Sequence, residues 1–535
     1  MRLTNLTNKD YTLYSTVYQL KLPLELEGFV PSDDSVRLLS QVLEELDYTK
    51  LYQAYSAKGR NPVVDPKTMF KVLAYAYSQN IYSSVRIESA CRRDINFMWL
   101  LAGQKAPDHS TISRFRQRCA DGIIEDLFYQ LVNLLYELDE IHYENVFIDG
   151  TKIEANANRY TFVWKQSVMK NEVKMHNKVQ ELFAAINQEY IQSFSFRAET
   201  AVEDLTVALT FLKERCQMEG IVFVHGKGRR PKPIQKQVEQ LEEYFERQKH
   251  YDEYKGRFQG RNSFSKTDPD ATFMHMKEDH MKNGQLKPAY NIQIGVEAEY
   301  ITGVGVFADR NDKGTLVPML EQMKADTGHT YKNVIADSGY ESEEAYVYLE
   351  KEGQSAYIKP QTYEIWKKRS FKNDISRFEN MSYDQEKDEY TCHNQKILRP
   401  VGVKHRTSKN GYRSELTVYR CDDCSGCPYR NRCTKAAKDR EMQISKTFVE
   451  LRNNSYENIT SAEGTMLRMN RSIQVEGAFG VLKSDYKFTR FLTRGKAKVK
   501  TEFLFLCMGY NINKLHARIQ SDRLNEPLHP IKQSA

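Results

Sequence analysis

Nowhere in its 535 residues does the chain hold an apolar run close to the roughly 20 residues that a helix needs to cross a bilayer; the longest, such as FLFLCMGY at 503–510, are too short. No membrane span is expected. The opening MRLTNLTNKDYTLYS lacks an apolar core between a basic flank and a small-residue cleavage site. No secretory signal is therefore expected, and the chain is assigned to the cytoplasm, where thiols stay reduced. Repeats at solenoid periods are missing, which argues against a stacked-repeat architecture. Strong charge of one sign is missing too: a formal net charge of +7 is modest for this length and alone points weakly to a polyanionic partner.

What is present is a globular composition, with 40% hydrophobic and 28% charged residues, and 33 Tyr and 25 Phe to pack cores or stack on bases. The length exceeds one ordinary core and predicts two to four structural units. The charge is unevenly placed. Residues 464–535 hold 13 Lys/Arg against 5 Asp/Glu, a balance of +8 that exceeds the excess of the whole chain. Such a basic tail is the footprint of a nucleic-acid contact, or else a solvated face.

Residues 34–135 carry apolar side chains at spacings of three and four and read as a helical domain. Within it, PDHSTISRFRQRC (107–119) joins a proline and an Asp or Ser cap to a short helix presenting Ser113, Arg114, Arg116 and Arg118. That is the pattern of a helix-turn-helix reader, or of an ordinary surface helix. YENVFIDGTKIEANA (143–157) reads as a strand that ends at Asp149 and Gly150 in a tight hairpin. Residues 164–259 are helical and charged, an inserted hairpin or arm interrupted by GIVFVHGKGRRPKP, whose HGKGRRPK (225–232) could touch phosphate. Two alternating runs in AYNIQIGVEAEYITGVGVFADR (289–310) predict a β-hairpin, followed by the helix TLVPMLEQMKAD. In YKNVIADSGYES (331–342) an apolar strand again ends in an aspartate, Asp337, before a Ser-Gly turn, a helix and the short strand SAYIKP. This order predicts an α/β fold, a mixed sheet flanked by helices. After Pro360 the periodicity fades until a cysteine cluster, and helix returns near 466–485 and 501–520.

The cluster CDDCSGCPYRNRC places Cys421, Cys424, Cys427 and Cys433 in the spacing C-x2-C-x2-C-x5-C. In a reducing compartment close thiolates favour a borderline metal, with Zn2+ the expected ion and an iron-sulfur cluster the alternative. Cys91, Cys119, Cys216 and Cys507 lie in apolar helical contexts and read as core residues; Cys392 and His393 are weaker candidates to assist the site.

Phosphodiester cleavage by two metals needs convergent carboxylates holding cations about 4 Å apart, and strand ends hold such groups rigidly. Asp149 and Asp337 both close apolar runs before glycine-containing turns. In SIQVEGAFGVLK (472–483) Glu476 is the third candidate, on a helix that Val475, Phe479 and Leu482 would pack against the sheet. Among competing acids, Asp268 and Asp270 read as turn and cap residues, Asp312 as the cap of the following helix, and Glu154 as an outer group.

FIDGTKIEANA, VIADSGYES and RMNRSIQVEGAFGVLK together resemble the three catalytic blocks of DDE transposases from bacterial insertion sequences, most closely the eleven-eighty-two type. The resemblance spans most of 35–520 in order, including PDHSTISRFRQR, SKTDPDATF, KPAYNIQIGVE and the cysteine cluster. It implies an RNase H-like core in which Asp149, Asp337 and Glu476 hold two Mg2+ or Mn2+ ions. It further implies cleavage of double-stranded DNA at the element's terminal inverted repeats and 3'-hydroxyl transfer into target DNA, by a homodimer or higher oligomer on the bacterial nucleoid.

Lys483 matches the lysine that follows the glutamate in related transposases, and on an α-helix would share its face. The tyrosine and arginine of the commonest signature fall here at Met469 and Ser472, so no arginine role is carried over to Arg468 or Arg471. The expected DNA contacts are Lys483, then Arg490, Arg494 and Lys496 in FTRFLTRGKAKVKTEF, and Arg114 and Arg116. The expected division is 1–140, an N-terminal helical DNA-binding domain; 141–163 and 266–360, catalytic core; 164–265, a helical insertion; 361–460, the cysteine-rich insertion; and 461–535, the closing helices with the basic segment. A nuclease that never joins strands and a non-catalytic zinc-containing DNA-binding protein are the alternative readings.

Overall fold

The structure is a computed structural model that describes residues 26–55, 62–120, 122–226, 230–276 and 284–526. The stretch read for a secretory signal and the 227–229 centre of the basic loop lie outside the described residues.

Helices fill the chain from Ser35–Glu44 to Ile123–Glu137, and their starts follow from capping side chains. Asp65 accepts from the amides of Lys67 and Thr68 with Pro66 at the first helical position, and Asp108 accepts from Thr111 N at 2.6 Å to start His109–Arg118. The helix Pro66–Ser78 is apolar nearly all round and almost wholly buried, because the helix Lys496–Gln520 from the far end of the chain covers it. Phe505 meets Phe70 and Tyr77 at ring distances of 5.3 and 5.6 Å. At Gly509 a Cβ would stand 2.8 Å from Ser78 N, so glycine sets the approach of the two backbones. One hydrophobic core therefore runs from the N-terminal helices through Lys496–Gln520 into the sheet.

In chain order the strands are β1 (Asn145–Glu154), β2 (Phe162–Trp164), β3 (Ser263–Ser265), β4 (Thr272–His275), β5 (Leu286–Glu297), β6 (Tyr300–Phe307), β7 (Asn333–Ala336), β8 (Ser355–Ile358), β9 (Ser382–Asp384), β10 (Glu389–Thr391), β11 (Ile397–Thr407), β12 (Arg413–Cys421) and β13 (Glu441–Ile444). The central sheet is mixed, in the order β4-β5-β1-β7-β8 with β6 also on β5. The β5–β6 hairpin forms as expected, turning at Ala298 and Glu299, both with positive φ. The hairpin expected after Gly150 does not form: β1 runs on to Glu154 because Gly150 through Glu154 pair with Gln293 through Ala289 of β5.

Between β2 and β3 the chain makes three long helices, Lys165–Tyr190, Ala201–Met218 and Pro233–Phe258, not a two-helix hairpin. They enclose their own core of Val179, Phe183, Leu205, Leu212, Val238 and Leu241.

The region after Pro360, where periodicity fades, holds a second antiparallel sheet in the order β13-β12-β11-β10-β9. Its β11–β12 ribbon is largely exposed on β11, and the turn reaches back to the central sheet's loops. Lys409 pairs with Asp309 at 2.5 Å and Tyr412 OH donates to Glu343 at 3.0 Å. No helix of the described residues is long and apolar enough to cross a membrane.

Candidate active site

Parallel pairing of β1 with β7 runs from Asn145↔Asn333 to Ile148↔Ala336. The next residue on each strand is an aspartate, so register alone places Asp149 and Asp337 side by side. Asp149 is mid-strand, not at a strand end, at the point where β7 peels away from β1. Asp337 is turned by its own loop, its carboxylate accepting from Gly339 N at 2.7 Å.

The third acid arrives on a helix that packs across β1 and β5. Val475, Phe479 and Leu482 are buried as the sequence predicts, and the Gln474 side chain accepts from Glu299 N at 2.6 Å. This helix is not α throughout. Ser472–Glu476 and Val481–Asp485 are π-helical turns on either side of a short α segment, so Glu476 and Lys483 are not related by the 3.6-residue repeat assumed from sequence. Lys483 is half-buried on the second π turn.

A guanidinium stands among the three acids. Arg471 Nη2 lies 2.9 Å from Asp149 Oδ1 and 4.0 Å from Asp337 Oδ2, and Nη1 lies 3.3 Å from Glu476 Oε1. The side chains of Asp149 and Arg471 are 13% and 17% exposed while those of Asp337 and Glu476 are 44% and 58% exposed, so the cluster opens to solvent on one side only. Among the described residues no three Cys, His, Asp or Glu side chains already stand at metal-holding spacing; at these acids the arginine occupies the place between them. The donor set itself, three carboxylates, has the chemistry that hard divalent cations prefer.

Sequence reasoning missed a fourth acid. Asp312 does not cap the following helix with its side chain; its Oδ1 accepts from Asn291 Nδ2 at 2.8 Å and Gln293 Nε2 at 2.7 Å. Gln293 in turn accepts from the buried Tyr340 hydroxyl. Burial drives that phenol far above its ordinary titration range, so it remains a donor. Two glycines make room for this floor: a Cβ on Gly150 would meet Gln293 and Asp312, and one on Gly339 would meet both Asp337 and Asp312.

Two family comparisons bear on this geometry. The family described as Transposase DDE domain matches residues 391–516, and the one described as Transposase domain (DUF772) matches 24–118. Both matched segments, which together cover less than half of the chain, are similar to transposase domains and support a DDE transposase of the insertion-sequence type. No curated protein matches the chain. The DDE-domain match takes in Glu476, Arg471, Lys483 and the cysteine cluster, whereas Asp149 and Asp337 precede it. The other match ends at Arg118, the last residue of the capped basic helix.

The basic side chains expected to meet DNA divide into two groups. Arg114 is exposed and lines an open concavity with Ser84, Ser110 and Ser113. Arg116 is a correction: it is 7% exposed, its guanidinium bonds the Tyr82 carbonyl and lies 5.4 Å over the Tyr77 ring, so it ties the helical region together. Arg490 and Arg494 are exposed but hold the chain leaving β1, donating to the carbonyls of Ala155 and Asn156 at 3.3 and 2.8 Å. The amide of Lys496 donates to Asp270, which thus caps Lys496–Gln520, while Asp268 is buried under Tyr290 OH at 2.9 Å. Glu154 lies away from the acids, paired with Arg159, Lys287 and Arg490.

The four clustered cysteines face one narrow, mostly apolar cavity, together with Cys392. Burial pushes the Cys421 thiol up to about 12 and raises Cys433 as well, which favours neutral thiols. The thiols are not arranged at metal-ligand spacing, so the zinc and iron-sulfur expectations find no support in this arrangement.

Proposed function

We propose that this transposase cuts DNA at the ends of its element and joins the freed 3'-hydroxyl to target DNA, with Asp149, Asp337 and Glu476 as the acids that hold divalent metal. The reading makes β1, β4–β8 and the helices of 461–535 an RNase H-like core. The observation that carries it is the β1–β7 register, which aligns Asp149 with Asp337 while the packed helix brings Glu476 to the same cation. Divalent metal bound there would activate the attacking oxygen and offset charge on the leaving oxygen. The chain's own residues supply the frame. Strand pairing holds Asp149, an Asx-type turn aims Asp337, and the Asn291–Gln293–Tyr340 network fixes Asp312 beneath them. Exposed Arg114, Arg490 and Arg494 offer positive charge to a phosphate backbone. Two copies of the chain would each bind one element end.

Asp149→Asn, Asp337→Asn and Glu476→Gln variants are expected to bind an element-end duplex but to give neither nicked nor joined product. Full cleavage by all three would overturn the assignment. An enzyme that nicks but never joins would restrict it to hydrolysis.

A further inference from the structure

Arg471 holds a position that the three acids alone would not tolerate. Like charges gathered at one edge of a sheet repel, and an opposite charge set among them offsets that repulsion. The guanidinium touches Asp149 and Glu476 with different nitrogens and is within 4.0 Å of Asp337, while its Nε is buried without a hydrogen-bond partner among the described residues. The helix is shaped to allow this. Residues five apart on an α-helix stand about 140° apart round the axis, so Arg471 and Glu476 would diverge. The intervening π turn, Ser472–Glu476, closes i to i+5 and stacks the two side chains, giving the 3.3 Å contact. Such turns concentrate at functional sites.

We propose that Arg471 is a built-in counter-cation that assembles the three carboxylates before metal arrives, so that divalent cation binds by exchange for the guanidinium. The inference rests on the metal-holding role proposed for these acids. Arg471 is thus a positioning residue: it pre-orders the ligands, and it competes with the metal for them. Its removal has opposite effects on the two states. Without metal the acids repel and the site loosens; with metal the competitor is gone.

The test uses the full chain and Mn2+ as probe. Arg471→Gln and Arg471→Lys are compared with wild type for melting temperature after metal removal and for Mn2+ affinity by calorimetry and by loss of the free-ion spin-resonance signal. Arg471→Gln is expected to melt lower without metal and to bind Mn2+ about tenfold or more tightly, the scale of one hydrogen bond to a charged group that the metal no longer has to displace. Arg471→Lys, which keeps the charge but not the two-pronged reach, is expected to fall between. If Mn2+ binding depends on Asp149 and Glu476 but is unchanged or weaker in both arginine variants, the exchange is refuted and Arg471 only packs the helix. If wild-type Mn2+ binding is absent or survives Asp149→Asn and Glu476→Gln, the metal-holding reading fails, and the exchange with it. Should Arg471→Gln not fold, Arg471→Lys with unaltered Mn2+ affinity refutes the proposal by itself.

Discussion

Gly150, next to the catalytic candidate Asp149, gives a quantitative test of how the floor of the site is built. A methyl at this position would lie 2.2 Å from Gln293 Nε2 and 2.9 Å from Asp312 Oδ1, against ordinary contacts of 3.4–4 Å. The difference of 3.4 and 2.2 Å requires Gln293 to retreat by more than an ångström. It cannot swing into solvent, being fully buried, and its amide is committed to Asp312 at 2.7 Å, Asn291 at 3.0 Å and Tyr340. Overpacking of this kind costs about 1–3 kcal/mol, and losing one of these bonds leaves a buried amide unpaired at about 1–3 kcal/mol. Alanine recovers only about 0.5–1 kcal/mol of strand conformational entropy. Gly150→Ala should therefore destabilise the protein by about 1–5 kcal/mol and reduce DNA cleavage, because Asp312 and Asp149 shift together. Gly402→Ala in β11 is the control, since nothing lies within 4 Å of its Cβ; it should leave stability unchanged or slightly raised. Urea denaturation followed by tryptophan fluorescence measures both. A Gly150→Ala protein with a midpoint equal to wild type, while Gly402→Ala behaves as stated, would refute the account of the floor.

Other outcomes follow from the same structure. Glu140 and Arg518 form an almost wholly buried pair, with Tyr300 OH donating to Glu140 at 3.0 Å, so Glu140→Ala leaves the buried guanidinium with only Glu299 at 3.8 Å and the Ala298 carbonyl and should cost about 3 kcal/mol in thermal or chemical denaturation. Arg114→Ala should weaken binding to element-end DNA in fluorescence anisotropy with little change in melting temperature. Arg116→Ala should instead lower the melting temperature, and the reverse pattern would contradict its buried placement. Glu502 is buried beneath the 492–493 loop, whose amides and Thr493 hydroxyl it accepts, and burial raises its pKa above the ordinary 4.5. The folded state thus binds this proton more tightly than the unfolded chain. The resulting stabilisation is complete below the ordinary value and is lost as pH rises through the folded one. Glu502→Gln should flatten that slope in denaturation midpoints measured from about pH 4 to 8.

The apolar runs ending in Asp149 and Asp337, the Asp108 cap and the buried face Val475–Phe479–Leu482 could all be read in the sequence, because each is a local pattern with its own periodicity. So could the resemblance to transposases, which the two matched family models support. The β11–β12 ribbon could not: exposed along most of β11, it carries no alternating apolar signal. The fate of Arg116 was hidden too, since a basic residue on a capped helix looks solvent-facing until another element covers it. Asp312 looked like a cap because only the fold brings Asn291 and Gln293 to its oxygen. Arg471 drew no role from the sequence because the signature arginine falls at Ser472, and only the fold, with its π turn, brings the guanidinium to Glu476.

Local sequence determined the capped helix starts, the apolar faces and the apolar runs that close on Asp149 and Asp337. The tertiary structure alone decided the register that joins Asp149 to Asp337, the burial of Arg116, and the cation that stands among the three acids. Backbone periodicity is encoded within a few residues, whereas charge pairing depends on distances between segments hundreds of residues apart, and those exist only once the sheet has formed.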